Sequence, residues 1–462
     1  MKINRIFLSL FAISILYTII TFSSGCAQIS APTGGPKDSI PPQLLKASPA
    51  LNTINFRGNK IIFSFNEYIE VLDVQNNVLV SPLPKNNPNI NYKLKTITVT
   101  LKDTLLPNTT YAINFGNAIK DVNEGNILQN FTYVFSTGSS IDSLTLNGKI
   151  LIAETGKPDS TIVALLYKNA DDSAVQKRKP DYIAKPNANG EYAFKNLSAG
   201  NFRIYALKDG DGNKYYSSKV EMFAFNNNEI NISQKKDTIT LYAFAEQKEN
   251  KNKPATKSIL EKKLKYNSAI NTGKQDLLNN LELIFNNPIK KFEPSRIILT
   301  DTNYIAIPNT TIALDSTTKN IIVKTKWKPS KNYKLIVNKD AVSDDDKNFL
   351  EKTDTLKFTT KSEEDYGNVV LRFNMLDLTK HPLLQFVQSD EVKMSYKLLS
   401  KEWSMKLFPT GEYELRIVLD DNNNEKWDTG NFSQKIQPEK VIGINQKLSI
   451  RANWDNELDI KL

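Results

Sequence analysis

Two patterns of alternating apolar and polar residues run through this chain, and each of them occurs twice. The first is carried by residues 61–65 (IIFSF), 96–101 (TITVTL), 111–115 (YAINF) and 131–135 (FTYVF). Short β-rich runs of period two, bounded by Asn, Pro, Gly and Asp, specify strands that bury one face. The same pattern returns downstream. LELIFNNPI (281–289) corresponds to IIFSFNEYI (61–69), and WKPSKNYKLIV (327–337) corresponds to LLPNTTYAINF (105–115). That alignment sets Tyr333 over Tyr111 and Pro329 over Pro107, places Asp344, Asp345 and Asp346 where Asp121 and Glu124 lie, and puts LKFTTK (356–361) in place of VFSTG. The second pattern is GEYAFKNLSAGNFRIYALKDGDGN (190–213), which aligns at constant offset with WSMKLFPTGEYELRIVLDDNNN (403–424). Gly200 meets Gly411, Phe202 meets Tyr413, and Asp209, Asp211 and Asn213 meet Asp420, Asn422 and Asn424. A self-similar chain of strands predicts an all-β fold of tandem β-sandwiches in an A-B-A-B arrangement.

The module boundaries follow from the breaks in these patterns. Sandwich A is expected at 44–138, sandwich B at 139–246, a Lys-rich connector at 247–274, a second A at 275–362 and a second B at 363–462. Residues 259–266 (ILEKKLKY) within the connector suggest a helical turn or two. Residues 44–138 resemble the Ig-like domain of bacterial surface-layer proteins and surface lipoproteins, through the opening SPA, FNEYIE, LPNTTYAINF, the acidic loop DVNEG and the closing FSTG. The first B module resembles the prealbumin-like or carboxypeptidase-regulatory-like sandwich, on Leu197, Gly200, Phe202, Ile204 and Ala206. The resemblance implies accessory, non-catalytic domains on an exported protein.

The amino terminus bears on the compartment. Lys2 and Arg5 precede an uncharged apolar run, 6–22, which small residues follow: the layout of a secretory signal. Ser23, Ser24, Gly25 and Cys26 resemble a bacterial lipobox, with Ser23 where the family usually has an aliphatic residue, and Cys26 is the sole cysteine of the chain. The resemblance implies a signal peptide at 1–25, removed before Cys26, and acylation of that thiol. Acyl chains contribute about 0.8 kcal/mol per buried methylene, so the expected product is held to a membrane. Residues 26–43, with Pro32, Gly34, Gly35, Pro36, Pro41 and Pro42, then read as a flexible tether. PTGGPKDSIPP (32–42) is similar to the opening of a group of Bacteroidetes lipoproteins that carry a bacterial Ig-like domain.

Composition narrows the chemistry. With one His and one Cys there is no set of imidazoles and thiolates for a zinc centre; a Ser/His/Asp triad would have to use His381, and a thiol nucleophile Cys26. No catalytic residue is therefore assigned. The net charge of +10 is spread thinly, and much of it lies in the connector (Lys248, Lys251, Lys253, Lys257, Lys262, Lys263, Lys265), so no nucleic-acid partner is expected.

Three groups of residues remain. Asp209, Asp211 and Asn213, and likewise Asp420, Asn422, Asn424 and Asp428, place oxygens at alternate positions, as in the first half of an EF-hand loop, and calcium is the one cofactor they suggest. The second half of that loop is missing: Lys214 or Glu425 stands at the Gly position, and Val220 or Asn431 at the position of the bidentate Glu. Asx turns at a hairpin tip account for the same residues without metal. Asp followed by Ser or Thr and then an aliphatic residue or Thr is similar to a Bacteroidetes O-glycosylation sequon, implying glycan at Ser39, Thr104, Ser143, Ser160, Ser173, Thr238, Ser316 or Thr355. The same pattern also describes a turn entering a strand. Trp403, Trp427 and Trp454 offer aromatic faces for a sugar, although Trp is usually core. His381 reads as an exposed loop residue. The expected protein is a non-catalytic lipoprotein of the outer membrane, facing the periplasm or the surface, with a glycan or an envelope protein as its partner. The rival expectation is a polysaccharide hydrolase with an unrecognised carboxylate pair, or an accessory subunit of an outer-membrane complex.

Overall fold

The computed structural model describes residues 11, 14, 37–233, 238–247, 263–270 and 273–462. Most of the expected signal segment, Cys26 and most of the Lys-rich connector lie outside the described residues. The chain divides into two compact units, Met1–Ile141 and Asp142–Leu462.

The first unit is a β-sandwich. One sheet runs in the order Leu44–Ser48, Lys60–Phe65, Thr96–Thr100, Asn89–Lys93; the other is Thr132–Ser136, Thr110–Asn114, Leu79–Ser81. The inward positions of both sheets, among them Ile61, Phe63, Ile97, Val99, Ile113, Tyr133 and Phe135, form one core. Their alternation with outward polar residues is the period-two pattern of the sequence.

In the second unit, residues 264–358 build another sandwich. The strands Tyr266–Ser268, Leu281–Phe285, Asn320–Lys324 and Thr311–Leu314 make one sheet, and Lys274–Gln275, Asp354–Thr360, Asn332–Val337 and Ile297–Thr300 make the other. The repeat extends to hydrogen bonds. Tyr111 Oη accepts the backbone N–H of Leu106 at 2.8 Å, and Tyr333 Oη accepts that of Lys328 at 3.3 Å. Each ring stacks on the closing strand, on Phe135 and on Phe358. Each tyrosine thus pins the crossing before its own strand, as in the tyrosine corner of Ig-like sandwiches. The connector departs from expectation: Leu264 bridges to Leu350 and Tyr266–Ser268 is a strand, so the described end of 259–266 is extended, not helical. Leu264 is buried in the core of this sandwich, and tertiary burial overrides the local helical pattern.

The two B copies also share one topology. In the first, Leu144–Ile152 lies between antiparallel Glu191–Leu197 and parallel Ile239–Ala243; in the second, Gly367–Asn374 lies between antiparallel Glu402–Phe408 and parallel Asp455–Lys461. The facing sheets are Tyr182–Ala184, Val163–Lys168, Asn201–Leu207, Phe223–Phe225 and Glu391–Lys397, Pro382–Gln388, Gly411–Leu419, Val441–Ile450. Gly200 and Gly411, aligned in sequence, enter equivalent strands at φ 143° and 148°, a region costly for a residue with a Cβ.

The two B modules pack together, although a whole sandwich separates them in sequence. Phe432 inserts among Phe223, Phe225, Tyr205 and Tyr216 at ring-centroid distances of 5.0, 5.2, 5.9 and 6.0 Å. Beside it, Thr429 Oγ1 donates to the Ala245 carbonyl at 2.7 Å and Gln437 Nε2 to the Phe225 carbonyl at 3.0 Å; the same two modules are also joined by Lys157 Nζ, which donates to Glu414 at 2.6 Å. A desolvated aromatic anchor inside a rim of polar contacts is the anatomy of a specific interface.

Candidate functional site

The segment that carries this junction begins at the second Asp/Asn loop. Asp420, 1% exposed, directly follows the strand Gly411–Leu419 and accepts the backbone N–H of Asn424 at 3.0 Å and of Glu425 at 2.7 Å. Asn422 Oδ1 and Asn424 Oδ1 accept N–H groups two residues on, at 3.1 and 2.9 Å. The side-chain amides of both reach Asp428 Oδ2, that of Asn424 at 2.7 Å. The Asx turns expected of a hairpin tip are therefore present, and they gather all four predicted residues into one loop.

What closes it is not legible along the chain. Glu439, 7% exposed, accepts the Asp428 N–H on Oε2 at 2.9 Å, while its own backbone N–H donates to the Asp428 carbonyl at 3.1 Å. Its backbone carbonyl holds Trp427 Nε1 at 2.9 Å. Its Oε1 is buried and accepts no hydrogen bond. Burial pushes the Glu439 carboxyl above its ordinary range, and the charges of Asp420 and Asp428 push it further.

The first loop repeats the arrangement. Asp209 accepts the Lys214 N–H at 3.1 Å, Asn213 Nδ2 donates to Asp211 at 2.6 Å, and Glu221 Oε2 accepts the Ser217 N–H at 2.9 Å. Ser217 and Asp428 occupy equivalent places, so a glutamate from beyond the loop meets the same backbone N–H in both modules. Asp209, Asp211 and Glu221 have oxygens within 4.8 Å of one another. Burial raises the Asp209 carboxyl, and its Oδ1 is without a hydrogen bond. No fixed spacing announces these glutamates: Glu221 follows Ser217 by four residues and Glu439 follows Asp428 by eleven. Only the fold brings them in.

The remaining predicted residues scatter. Ser39, Thr104, Ser143, Ser160, Thr238 and Ser316 are exposed in loops and turns, whereas Ser173 is half-buried and Thr355 is half-buried inside the strand Asp354–Thr360. Several of the accompanying aspartates cap their own turns: Asp38 accepts the Ile40 N–H, and Asp159 and Asp315 accept the Thr161 and Thr317 hydroxyls. The three tryptophans do not form one platform. Trp403 packs on Phe386, Tyr396 and Phe408 in the fourth core, Trp427 packs against Leu383, Val418 and Val441 on the other face of that sheet, and Trp454 is exposed under Arg451. His381 is exposed, ends a short turn at φ 44° and precedes Pro382. A cavity of about 460 Å³ opens at the junction of the B modules, lined by Glu154, Phe244, Glu246, Gln385, Trp427 and Thr429.

Residues 38–137 match the family model of the bacterial Ig-like domain. The first sandwich is a bacterial Ig-like domain. The chain is similar, at 10% identity, to BcpA, the major pilin subunit of Bacillus cereus, over 69% of this chain and 99% of that one with a TM-score of 0.16. It is also similar to the Bacillus anthracis TIE protein at 10% identity, over 93% and 75% of the two chains with a TM-score of 0.17. The N-terminal part of the bacterial S-layer protein SbsC matches at 15% identity, over 38% and 42% with a TM-score of 0.16. Scores this low carry no functional argument. No curated protein sequence matches significantly.

Proposed function

We propose that this protein is a non-catalytic lipoprotein, anchored through acylated Cys26 to the outer membrane of a Bacteroidetes cell and projecting its sandwiches as a structural or adhesive spacer. The observation that carries the reading is the junction of the two B modules. Phe432 is 7% exposed among the aromatic rings of the first module, so two sandwiches that a flexible chain would leave independent are held as one body. A spacer or scaffold needs such stiffness, whereas it gives no advantage to modules that act singly. The bacterial Ig-like domain at 38–137 and the lipobox-like SSGC at 23–26 support the same reading. Among the described residues no helix is long and apolar enough to cross a membrane, and the proposed attachment is by lipid. The partner is a glycan or an envelope protein. Metabolic labelling with a palmitate analogue tests the anchor: the wild-type band is labelled and fractionates with membranes, and Cys26→Ala is unlabelled and does not. Protease shaving of intact cells then separates a surface from a periplasmic orientation. An unlabelled wild-type chain defeats the proposal.

A further inference from the structure

The cavity of about 460 Å³ at the junction of the B modules has one group in its lining that the packing of the fold does not explain. Gln385 stands on Pro382–Gln388, where it pairs with Ser395 on one side and Arg416 on the other. Its strand neighbours Leu384 and Phe386 belong to the core of the second B module, so the alternation of the strand turns Gln385 to the opposite face, where the cavity lies. Gln385 is 8% exposed, and among the described residues its side-chain amide neither donates nor accepts a hydrogen bond. Burying an amide without partners is costly, and a leucine of similar size would fill the place without that cost.

The rest of the lining indicates what the amide meets. Phe244 and Trp427 supply aromatic rings, one from each module, and the indole is held by its Nε1 on the Glu439 carbonyl, so it cannot fold into the space. Glu154, Glu246, Glu425 and Asp428 supply carboxylates against the single ammonium of Lys426, while Arg416 is buried beside Gln385 in the ladder and does not line the cavity. Glu246 already accepts the Tyr216 hydroxyl and Asp428 the Asn424 amide, whereas the side chains of Glu425 and Ser395 enter no ion pair or hydrogen bond among the described residues. Ionised carboxylates only accept, so this lining is rich in acceptors and short of donors. A ligand that fits brings donors of its own, an apolar face for the rings and no negative charge. A pyranose ring does so, with hydroxyls around its rim and C–H groups on its face, and the cavity has room for one. We propose that this cavity binds a neutral or amine-bearing hexose unit of a glycan, with the Gln385 amide on its hydroxyls and Trp427 against its ring. Neither B module holds the site alone, so the docking through Phe432 also assembles it. The inference rests on the glycan reading of the partner and is independent of the acylation of Cys26.

Calorimetric titration of the full chain with galactose, mannose, N-acetylglucosamine and glucosamine, and with glucuronic acid as the anionic counterpart, tests the proposal. At least one of the first four should bind saturably with a Kd on the order of 1 mM, the affinity a ligand of this size commands. Glucuronic acid should bind about tenfold more weakly or not at all. Gln385→Leu should weaken binding about tenfold and leave the melting temperature unchanged or raised, because it replaces an unpartnered buried amide by an apolar group. Ser395→Trp, which adds bulk to the lining from an exposed position, should abolish binding, so a defect confined to one variant does not decide the outcome. No saturable binding of any of the four up to about 50 mM overturns the site. Binding that survives both substitutions overturns it as well, and so does glucuronic acid binding as tightly as the best of the four. A lower melting temperature in Gln385→Leu would give the amide a structural role and overturn its assignment to a ligand. Palmitate labelling of a chain that binds no sugar would sink this site and leave the anchor standing.

Discussion

Lys435 Nζ lies 2.9 Å from Asp172 Oδ2, joining residues of two modules that a complete sandwich separates in sequence. The same carboxylate accepts the Tyr205 hydroxyl at 2.9 Å and lies 3.3 Å from Arg203, while Lys435 sits 4.1 Å above the Phe432 ring. Charge, hydroxyl and ring therefore converge beside the aromatic anchor of the junction.

The junction weakens in acid. Burial pulls the Asp172 carboxyl upward, but hydrogen bonds from Lys435 and Tyr205 and the charges of Lys435 and Arg203 outweigh it and hold the group below its ordinary value. A depressed carboxylate contributes stability above its unfolded pKa, about 3.9, and loses it as pH falls through the lower folded value. Both partners are about one-third exposed, so solvent screening keeps the effect under about 1 kcal/mol. Exchange protection over 429–438 should fall as pH drops below about 4, and Asp172→Asn should remove that step.

Phe432→Ala should undock the B modules without unfolding either of them. The ring belongs to neither main core, and truncating a buried Phe costs about 3–5 kcal/mol where the site cannot collapse. Calorimetry should show one shared transition of the second unit separating into distinct steps. An unchanged profile would mean that the ring contributes little to docking.

Gly430→Ala should do similar damage by addition. A Cβ there would lie 2.6 Å from Phe244 Cζ and 2.9 Å from the Ile436 carbonyl oxygen, and the backbone atom cannot swing aside. Overpacking of this kind costs about 1–3 kcal/mol. The expected readout is a loss of junction protection while the cores of both modules keep theirs.

Tyr111→Phe and Tyr333→Phe should each destabilise their own sandwich by about 1 kcal/mol, since each removes one hydroxyl that accepts a backbone N–H and leaves the stacked ring in place. Denaturant unfolding of each single variant checks this, and equal losses would show that the two corners do equivalent work.

If the chain carries O-glycan, the occupied residues should come from the exposed set Ser39, Thr104, Ser143, Ser160, Thr238 and Ser316. Thr355 is fixed in a strand, paired with Ile336, and should be bare. Intact mass and site mapping from the native host decide it.

Much of this fold was legible because strand periodicity and turn chemistry are local. The alternation in 61–65 and 281–285 indicated which faces are buried, and the alignment of Gly200 with Gly411 indicated where equivalent strands begin. The local reading of 259–266 failed at its described end, 263–266, where Leu264 is buried in the core and Tyr266 enters a sheet. It also found the Asp/Asn loops without the glutamates that close them. Glu221 and Glu439 stand at unrelated distances from their loops, and a backbone N–H that selects them in space leaves no periodic mark on the chain.

The sequence by itself determined the all-β architecture, the duplication of both modules and the polar loops between strands, because each depends on residues close together along the chain. Tertiary structure alone decided that the second and fourth sandwiches meet, that Phe432 is the anchor between them and that Glu439 closes the loop beside it. Those outcomes depend on burying aromatic surface and satisfying backbone groups across hundreds of residues, and contacts of that range are settled by packing.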